Sequence, residues 1–310
     1  MEHVSGHHFK IDYWEIFNEI EGEHDTTPEQ YTARYDAIAA AIRKVAPQMK
    51  FVALALMSPS HGAPYIEYFL NPKNHQPGIP LDMISYHFYA VPAPDENMDI
   101  QEHTYFAYAD GFLNSVGFIE SIRQRLSPAT QTTVDEIGSI SAEDGAQGEP
   151  GFVFKPIPNA YWNLSGATYA YVFARLADMG IDIAGESQLV GYPTQFPSVS
   201  MVDWETGAPN ARFRVLELLK NNFGPGDNLV ATSGAPQFVH AQGFLTRDGT
   251  HKLLLINKRN HDIQVPLTTA SGATAAVVDQ TTQGAPARIE TLTGSSFRLP
   301  GFAVAVLTLP

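Results

Sequence analysis

Two short apolar runs that each end in a carboxylate constrain this chain more than any other feature. Tyr13-Trp14-Glu15-Ile16-Phe17 meets Asn18-Glu19 just before a polar, glycine-containing loop, Ile20-Glu21-Gly22-Glu23-His24. Thr132-Thr133-Val134 meets Asp135-Glu136 in the same way, 117 positions further on (136 − 19). Continuous apolar runs of this length read as strands buried on both faces, as in parallel sheets. Each glutamate therefore falls at the carboxyl end of a strand, and the interval has room for two more strands and three helices.

The rest of the front part alternates strand and helix. Residues 10–17 read as the first strand. Thr27-Pro28-Glu29-Gln30 then opens a helix: Thr27 suits the N-cap, Pro28 the first helical position and Glu29 the positive end of the dipole. Tyr31, Tyr35, Ile38, Ala41, Ile42 and Val45 follow at helical spacing, and Pro47 stops the run. Further strands are expected at 51–56, 83–89, 132–136 and 181–184, with helices at 64–70, within 100–126, at 159–179 and at 210–222. From about Asn228 the pattern changes to short β-prone runs broken by turns, at 238–245, 252–256, 263–266, 275–279 and 302–309. Residues 1–225 are thus expected to form one domain and residues 226–310 a β-sandwich.

Composition removes several function classes. The 310 residues carry a formal charge of −14, which opposes nucleic acid and anionic membrane surfaces as partners. No run reaches the length and apolarity of a membrane span. With no cysteine there is no disulfide, thiolate metal site or cysteine nucleophile. No leader-type segment precedes the first strand, and the compartment stays open. His3, His7 and His8 lack any metal-ligand spacing and read as solvated residues of the N-terminus. Asn163-Leu164-Ser165 matches a glycosylation acceptor but falls in an expected helix. The glycine-rich stretch 144–151 has no Lys-Ser/Thr pair and reads as a loop over the site, not a nucleotide cradle. No metal or organic cofactor is expected.

Glutamates at the carboxyl ends of parallel strands are how a (β/α)8 barrel presents its chemistry. Cleavage of a glycosidic bond needs such a pair, one acid and one nucleophile or base. Only five βα strands are found, however, where closure needs eight. The fold expected is α/β, a partial (β/α)8 (TIM-type) barrel with strands four to eight, followed by a small β-sandwich.

On these residues the chain resembles the clan A glycoside hydrolases, and within them family 39, the β-xylosidase and α-L-iduronidase group. Asn18-Glu19 resembles the acid/base segment that ends barrel strand four, and Glu136 the nucleophile that ends strand seven. Ser85-Tyr86-His87-Phe88-Tyr89 resembles the strand-six segment that lines the sugar subsite, and the terminal sandwich also matches. The chain departs from the family in having Ile20 where Pro is usual after Asn-Glu, and in lacking the first three strands. The resemblance implies retaining, exo-acting hydrolysis of xyloside-like sugars by Glu19 and Glu136 about 5 Å apart, and a secreted or periplasmic setting. Asn18 is suited to the sugar 2-hydroxyl. His87 and Tyr89 share a strand face, and Tyr89 is placed to keep Glu136 ionised. Trp204, ahead of Trp162, Tyr192 and Phe196, is the candidate for sugar stacking.

Blander readings stand beside these. Asp135 competes with Glu136 as nucleophile. Glu15 reads as a helix-facing or rim residue in a salt bridge, His87 as a candidate core histidine, Trp14 as core, and Glu21, Glu23, His24 and Asp25 as a solvated acidic loop. A second function class also survives: a catalytically impaired partial barrel acting as an oligomeric or carbohydrate-binding protein. Unpaired parallel strand edges favour association, so a homo-oligomer with strands near Ile11–Phe17 and Ile181–Ala184 at or beside the interface is expected. Sedimentation in dilute solution is expected to give a mass above the 34.0 kDa of one chain; a single monomeric species would contradict it.

Overall fold

The computed structural model describes residues 11–93, 96–144, 153, 155–191, 196–267 and 270–310. His3, His7, His8, Tyr192 and the glycine-rich residues 145–151 lie outside the described residues. The chain divides into two compact units. The first comprises Met1–Phe88, Gly111–Glu136 and Met179–Gly185, and the second Tyr89–Asp110, Ile137–Asp178 and Glu186–Pro310.

A five-stranded sheet runs in the order β1 (Tyr13–Glu15), β2 (Lys50–Leu56), β3 (Met83–Ala90), β4 (Gln131–Ser139) and β5 (Ile183–Glu186). Helices α1 (Pro28–Val45), α2 (Ala63–Phe69), α3 (Met98–Leu126) and α4 (Asn159–Asp178) fill the four crossovers, and α5 (Ala211–Asn222) follows β5. Spatial order equal to chain order, with a helix at every step, is the βα repeat expected of parallel strands; β1 and β2, and β2 and β3, pair in parallel.

Local chemistry explains the boundaries. At the start of α1, Thr27 accepts from the Gln30 amide at 3.3 Å and Gln30 Oε1 accepts from the Thr27 amide at 3.3 Å, closing a capping box. Inside the first unit Tyr35, Phe51 and Phe69 pack edge to face. His75 Nδ1 lies 2.6 Å from Asp36 Oδ1 in the same buried layer. β1 has three residues, fewer than the expected 10–17. Its downstream limit is set where Phe17 and Glu19 take φ of 72° and 41°, outside the range a strand allows.

The backbone of β2 departs from a regular strand in step with this. Its register against β3 shifts between Ala53 and Leu56, and Leu54 and Ala55 take φ of 81° and 42°. Left-handed conformation costs a non-glycine residue about 1–3 kcal/mol and persists only where its surroundings fix it. Here two hydroxyls do so. The Leu54 amide donates to Tyr31 Oη at 2.6 Å, and the Ala55 amide donates to Ser85 Oγ at 3.0 Å. The bulge turns the Ala55 carbonyl to accept the Glu19 amide at 2.7 Å.

In the second unit a six-stranded antiparallel sheet has the order β11-β10-β13-β8-β7-β6, and a two-stranded sheet pairs β12 with β9. The strands are β6 (Asn228–Val230), β7 (Val239–Leu245), β8 (His251–Asn257), β9 (Ile263–Pro266), β10 (Thr274–Val278), β11 (Arg288–Thr291), β12 (Ser296–Leu299) and β13 (Val304–Thr308). Val265, Phe297 and Leu299 of the small sheet share one core with Leu255, Val277 and Ala305 of the large one, which makes a sandwich. Strands β6, β11 and β12 are additions to the sequence-based expectation. β12 shows the period-2 pattern clearly, with Phe297 and Leu299 buried between exposed Ser296 and Arg298.

Tyr31→Phe leaves the buried Leu54 amide without its acceptor. It is expected to lower stability by about 1–3 kcal/mol, read as a lower urea midpoint with an unchanged slope.

Candidate functional site

In the first unit neighbouring strands bring polar side chains together. Glu15 leaves β1, Ser85 and His87 leave β3 at alternate positions, and Asp135 leaves β4. Ser85 Oγ donates to Glu15 Oε1, and Asp135 is hydrogen-bonded to Glu15. β1 and β4 are separated in the sheet by two strands. Side chains can bridge that gap only across a concave surface, so the sheet is curled and these residues line its inner face.

His87 is the hub. Its side chain is 1% exposed, its Nδ1 lies 3.0 Å from Glu19 Oε1 and 3.7 Å from Glu136 Oε2, and its Nε2 lies 3.6 Å from Asp135 Oδ1. One donor atom each of Glu19, His87 and Glu136 lie within 4.8 Å of one another. An oxygen of Glu19 and an oxygen of Glu136 thus lie within 4.8 Å of each other. The same three atoms have a spacing that a divalent cation could bridge, although the 3.0 Å hydrogen bond between His87 Nδ1 and Glu19 Oε1 already joins that pair. Glu19, His87 and Glu136 were each named from the sequence; their convergence within 4.8 Å is what the structure adds. His87 is thus buried like a core histidine and faces the site as well.

Among the other candidates, Asn18 is half-buried beside Glu19 at the turn that ends β1. Tyr89 belongs to the second unit, where its hydroxyl hydrogen-bonds Ser187 Oγ and its ring packs on Gly138. A Cβ at Gly138 would come within 2.6 Å of that ring, so any larger residue there must displace Tyr89. Trp204 is 58% exposed in the second unit, on a turn where Asp203 accepts from the amides of Glu205 and Thr206. Trp162 lies on α4, edge to face with Tyr161.

Two assignments change. Glu15, read as helix-facing or rim and in a salt bridge, is exposed on edge strand β1, turned to Ser85 and Asp135 and not to the helices, and among the described residues it shows no ion pair. Glu21 is not a solvated loop residue, since its Oε1 accepts the Ser58 amide at 3.1 Å and burial raises its pKa. Sequence reading also passed over Glu186, the last residue of β5. In the second unit its carboxylate accepts Arg212 Nε at 2.8 Å with both side chains buried, and Arg212 in turn donates to the Val199 carbonyl. Burial raises the Glu186 pKa to about 7 against the opposing pull of Arg212. The pair pins the loop after β5 to α5, and its signal was an acid at a strand end, the same cue that marked Glu19 and Glu136.

A family model described as the C-terminal immunoglobulin-like domain of D-apionate lactonase matches residues 236–307. Curated proteins give no match. Among solved structures the chain is similar to a family 30 endoxylanase from Clostridium papyrosolvens C71, at 14% identity and TM-score 0.62 over 99% of this chain and 68% of that one. It is similar to a family 51 arabinofuranosidase from Xanthomonas axonopodis pv. citri at 14% identity and TM-score 0.66, over 97% and 67%. CelM2, a bifunctional glucanase-xylanase from a metagenome library, gives 15% and 0.68, over 97% and 64%. The fold is a partial (β/α) barrel with an immunoglobulin-like C-terminal domain. The chain spans about two thirds of the length of these structures.

Burial, and next the neighbouring Glu15 carboxyl, holds the Asp135 carboxyl protonated well above the usual aspartate range. Folding then takes up a proton. The associated stability is complete below the ordinary aspartate pKa and is lost as pH rises through the raised one. Asp135→Asn, which carries no titrating proton there, is expected to reduce this alkaline decline. Thermal melts from about pH 5 to about pH 9 should show the variant gaining on the wild type as pH increases.

Proposed function

We propose that the chain is the catalytic part of a retaining glycoside hydrolase, with Glu19 as acid/base and Glu136 as nucleophile. The observation that carries this is the approach of the two carboxylates within 4.8 Å, Glu19 in the turn after β1 and Glu136 within β4. Retaining enzymes hold their carboxyl groups about 5 Å apart, whereas inverting ones leave several ångströms more for a water. In the proposed reaction Glu136 bonds to the anomeric carbon while Glu19 gives its proton to the departing oxygen. A water then attacks the glycosyl-enzyme, returns a proton to Glu19 and frees Glu136. Asn18 serves the sugar 2-hydroxyl, and Tyr89 and Trp204 serve as subsite residues. The likeness to xylanases and arabinofuranosidases supports a pentose-type substrate, and the family 39 resemblance of Asn18-Glu19, His87 and Glu136 supports exo cleavage. Unpaired strand edges support assembly with further copies.

A second reading has its own observation, the match of residues 236–307 to the lactonase family model. A sugar lactone has a flat, electron-poor carbon where a glycoside has its anomeric carbon, so it resembles the flattened transition state of glycoside cleavage. The same carboxyls would serve. One takes a proton from water as its oxygen bonds to the carbonyl carbon, and the other protonates the ring oxygen as the ester bond breaks.

The test is a panel of aryl xyloside, arabinofuranoside, glucoside, galactoside and iduronide, run beside aldonolactones under pH-stat. The glycosidase reading expects turnover of an aryl glycoside, lost in Glu136→Ala and reduced about 10²–10⁴-fold in Glu19→Gln. Turnover of lactones alone would favour the second reading. Folded protein inactive on every substrate would favour the impaired, carbohydrate-binding partial barrel.

A further inference from the structure

Asp135 has no place in the reaction above, and neither does Glu15, yet both are drawn onto the inner face beside it. His87 Nε2 and Asp135 Oδ1 are each buried without a hydrogen-bond partner, and they face each other at 3.6 Å. An orphaned buried polar atom costs about 1–3 kcal/mol, and a shift of a few tenths of an ångström would satisfy both atoms at once. On its other side Asp135 is bonded to Glu15, which Ser85 anchors to the β2 bulge. At the opposite ring nitrogen stand Glu19 at 3.0 Å and Glu136 at 3.7 Å. From β5 the neighbour is Gly185, whose Cα would carry a Cβ only 3.0 Å from the Asp135 carbonyl oxygen. Any side chain there would therefore push β4 away.

Four carboxyl groups around one imidazole cannot all be ionised at low cost. The hydrogen bond between Glu15 and Asp135 holds one proton between those two carboxyls and leaves the other Asp135 oxygen free to accept. Asp135 Oδ1 is then an acceptor and Nε2 of His87 its donor. Nδ1 is left bare, and the hydrogen bond to Glu19 runs from the glutamic acid to the ring.

Resting on the glycosidase reading of the site, we propose that Asp135, backed by Glu15, is a positioning residue that fixes His87 as its neutral Nε2–H tautomer. The bare Nδ1 then receives the hydrogen bond of protonated Glu19 and holds that proton ready for the leaving oxygen. During turnover the proton passes from Glu19 to the leaving group, and water returns one to Glu19. His87 keeps its own proton throughout. Asp135 thus acts through His87 and touches no reacting atom.

The test needs no substrate, so it stands apart from the outcome of the hydrolysis panel. Nitrogen-15 histidine spectra of the full chain, with His87 assigned by its loss in His87→Gln, report the tautomer directly. The wild type at neutral pH is expected to show the Nε2–H pattern. Asp135→Ala removes the acceptor and is expected to give a mixture of tautomers. Asp135→Asn keeps an acceptor oxygen and is expected to restore the Nε2–H pattern; it also guards against misfolding of the alanine variant. An Nδ1–H or doubly protonated ring in the wild type would overturn the proposal. So would an Asp135→Ala spectrum the same as that of the wild type.

Discussion

The inner face of the curled sheet gathers Glu15, Glu19, Asp135 and Glu136 around His87, and the rest of the first unit is arranged to make that crowding possible. Like charges at such distances repel by several kcal/mol if all are ionised in a medium poorer in water than bulk. The site relieves this in two ways. Asp135 and Glu15 hydrogen-bond carboxyl to carboxyl, which requires a proton between them. His87 then places one ring nitrogen toward Asp135 and the other between Glu19 and Glu136. The two glutamates proposed as acid and nucleophile are thus neighbours whose environments differ, and two carboxyls need such a difference to take opposite roles.

Placement of Glu19 follows from backbone strain more than from side-chain packing. Phe17, Glu19, Leu54 and Ala55 all take positive φ, two at the end of β1 and two in β2. The two pairs are joined by the hydrogen bond from the Glu19 amide to the Ala55 carbonyl. Tyr31 reaches in from α1 and Ser85 from β3 to hold the β2 amides. Ser85 spends its own proton on Glu15, so one hydroxyl ties the strained strand to the carboxyl pair. Strain of this kind is expected at a functional site, where the chain must present a side chain that regular geometry would turn elsewhere.

Much of this was legible in the residues. Apolar runs of strand length, the Thr27-Pro28-Glu29-Gln30 start and the stop at Pro47 placed β1, α1 and β2, because hydrophobic period and capping act locally. Glu19 and Glu136 were visible as carboxylates closing apolar runs, and His87 as a polar residue inside one; in the structure β4 runs on past Glu136 to Ser139. What was hidden depended on non-local geometry. Glu15 looked like a rim residue because three residues of strand do not reveal how far the sheet curls. The hydroxyls of Tyr31 and Ser85 read as core, since nothing in their spacing records a bulge in another strand. Glu186 offered the same cue as Glu19, an acid at a strand end, and was passed over. In the structure it meets a buried arginine, and the partner, not the position, separates a structural acid from a site acid.

The two proposed reactions make similar demands on a site of this kind. Acetal cleavage and lactone opening both need a proton donor on one side of an electron-poor sugar carbon and a carboxylate on the other. They differ in what occupies the space beyond that carbon: an aglycone for the acetal, only water for the lactone. In a closed barrel that space is shaped by loops from all strand ends. β1 is an edge of the described sheet, and Glu15 on it is exposed. Whatever pairs with that edge would cover Glu15, strengthen the desolvation that keeps the Glu15–Asp135 proton in place, and bound the substrate on the side of Glu19. If either proposed reaction holds, selection between them would depend on what borders Glu19 and Glu136 as well as on the two carboxyls themselves.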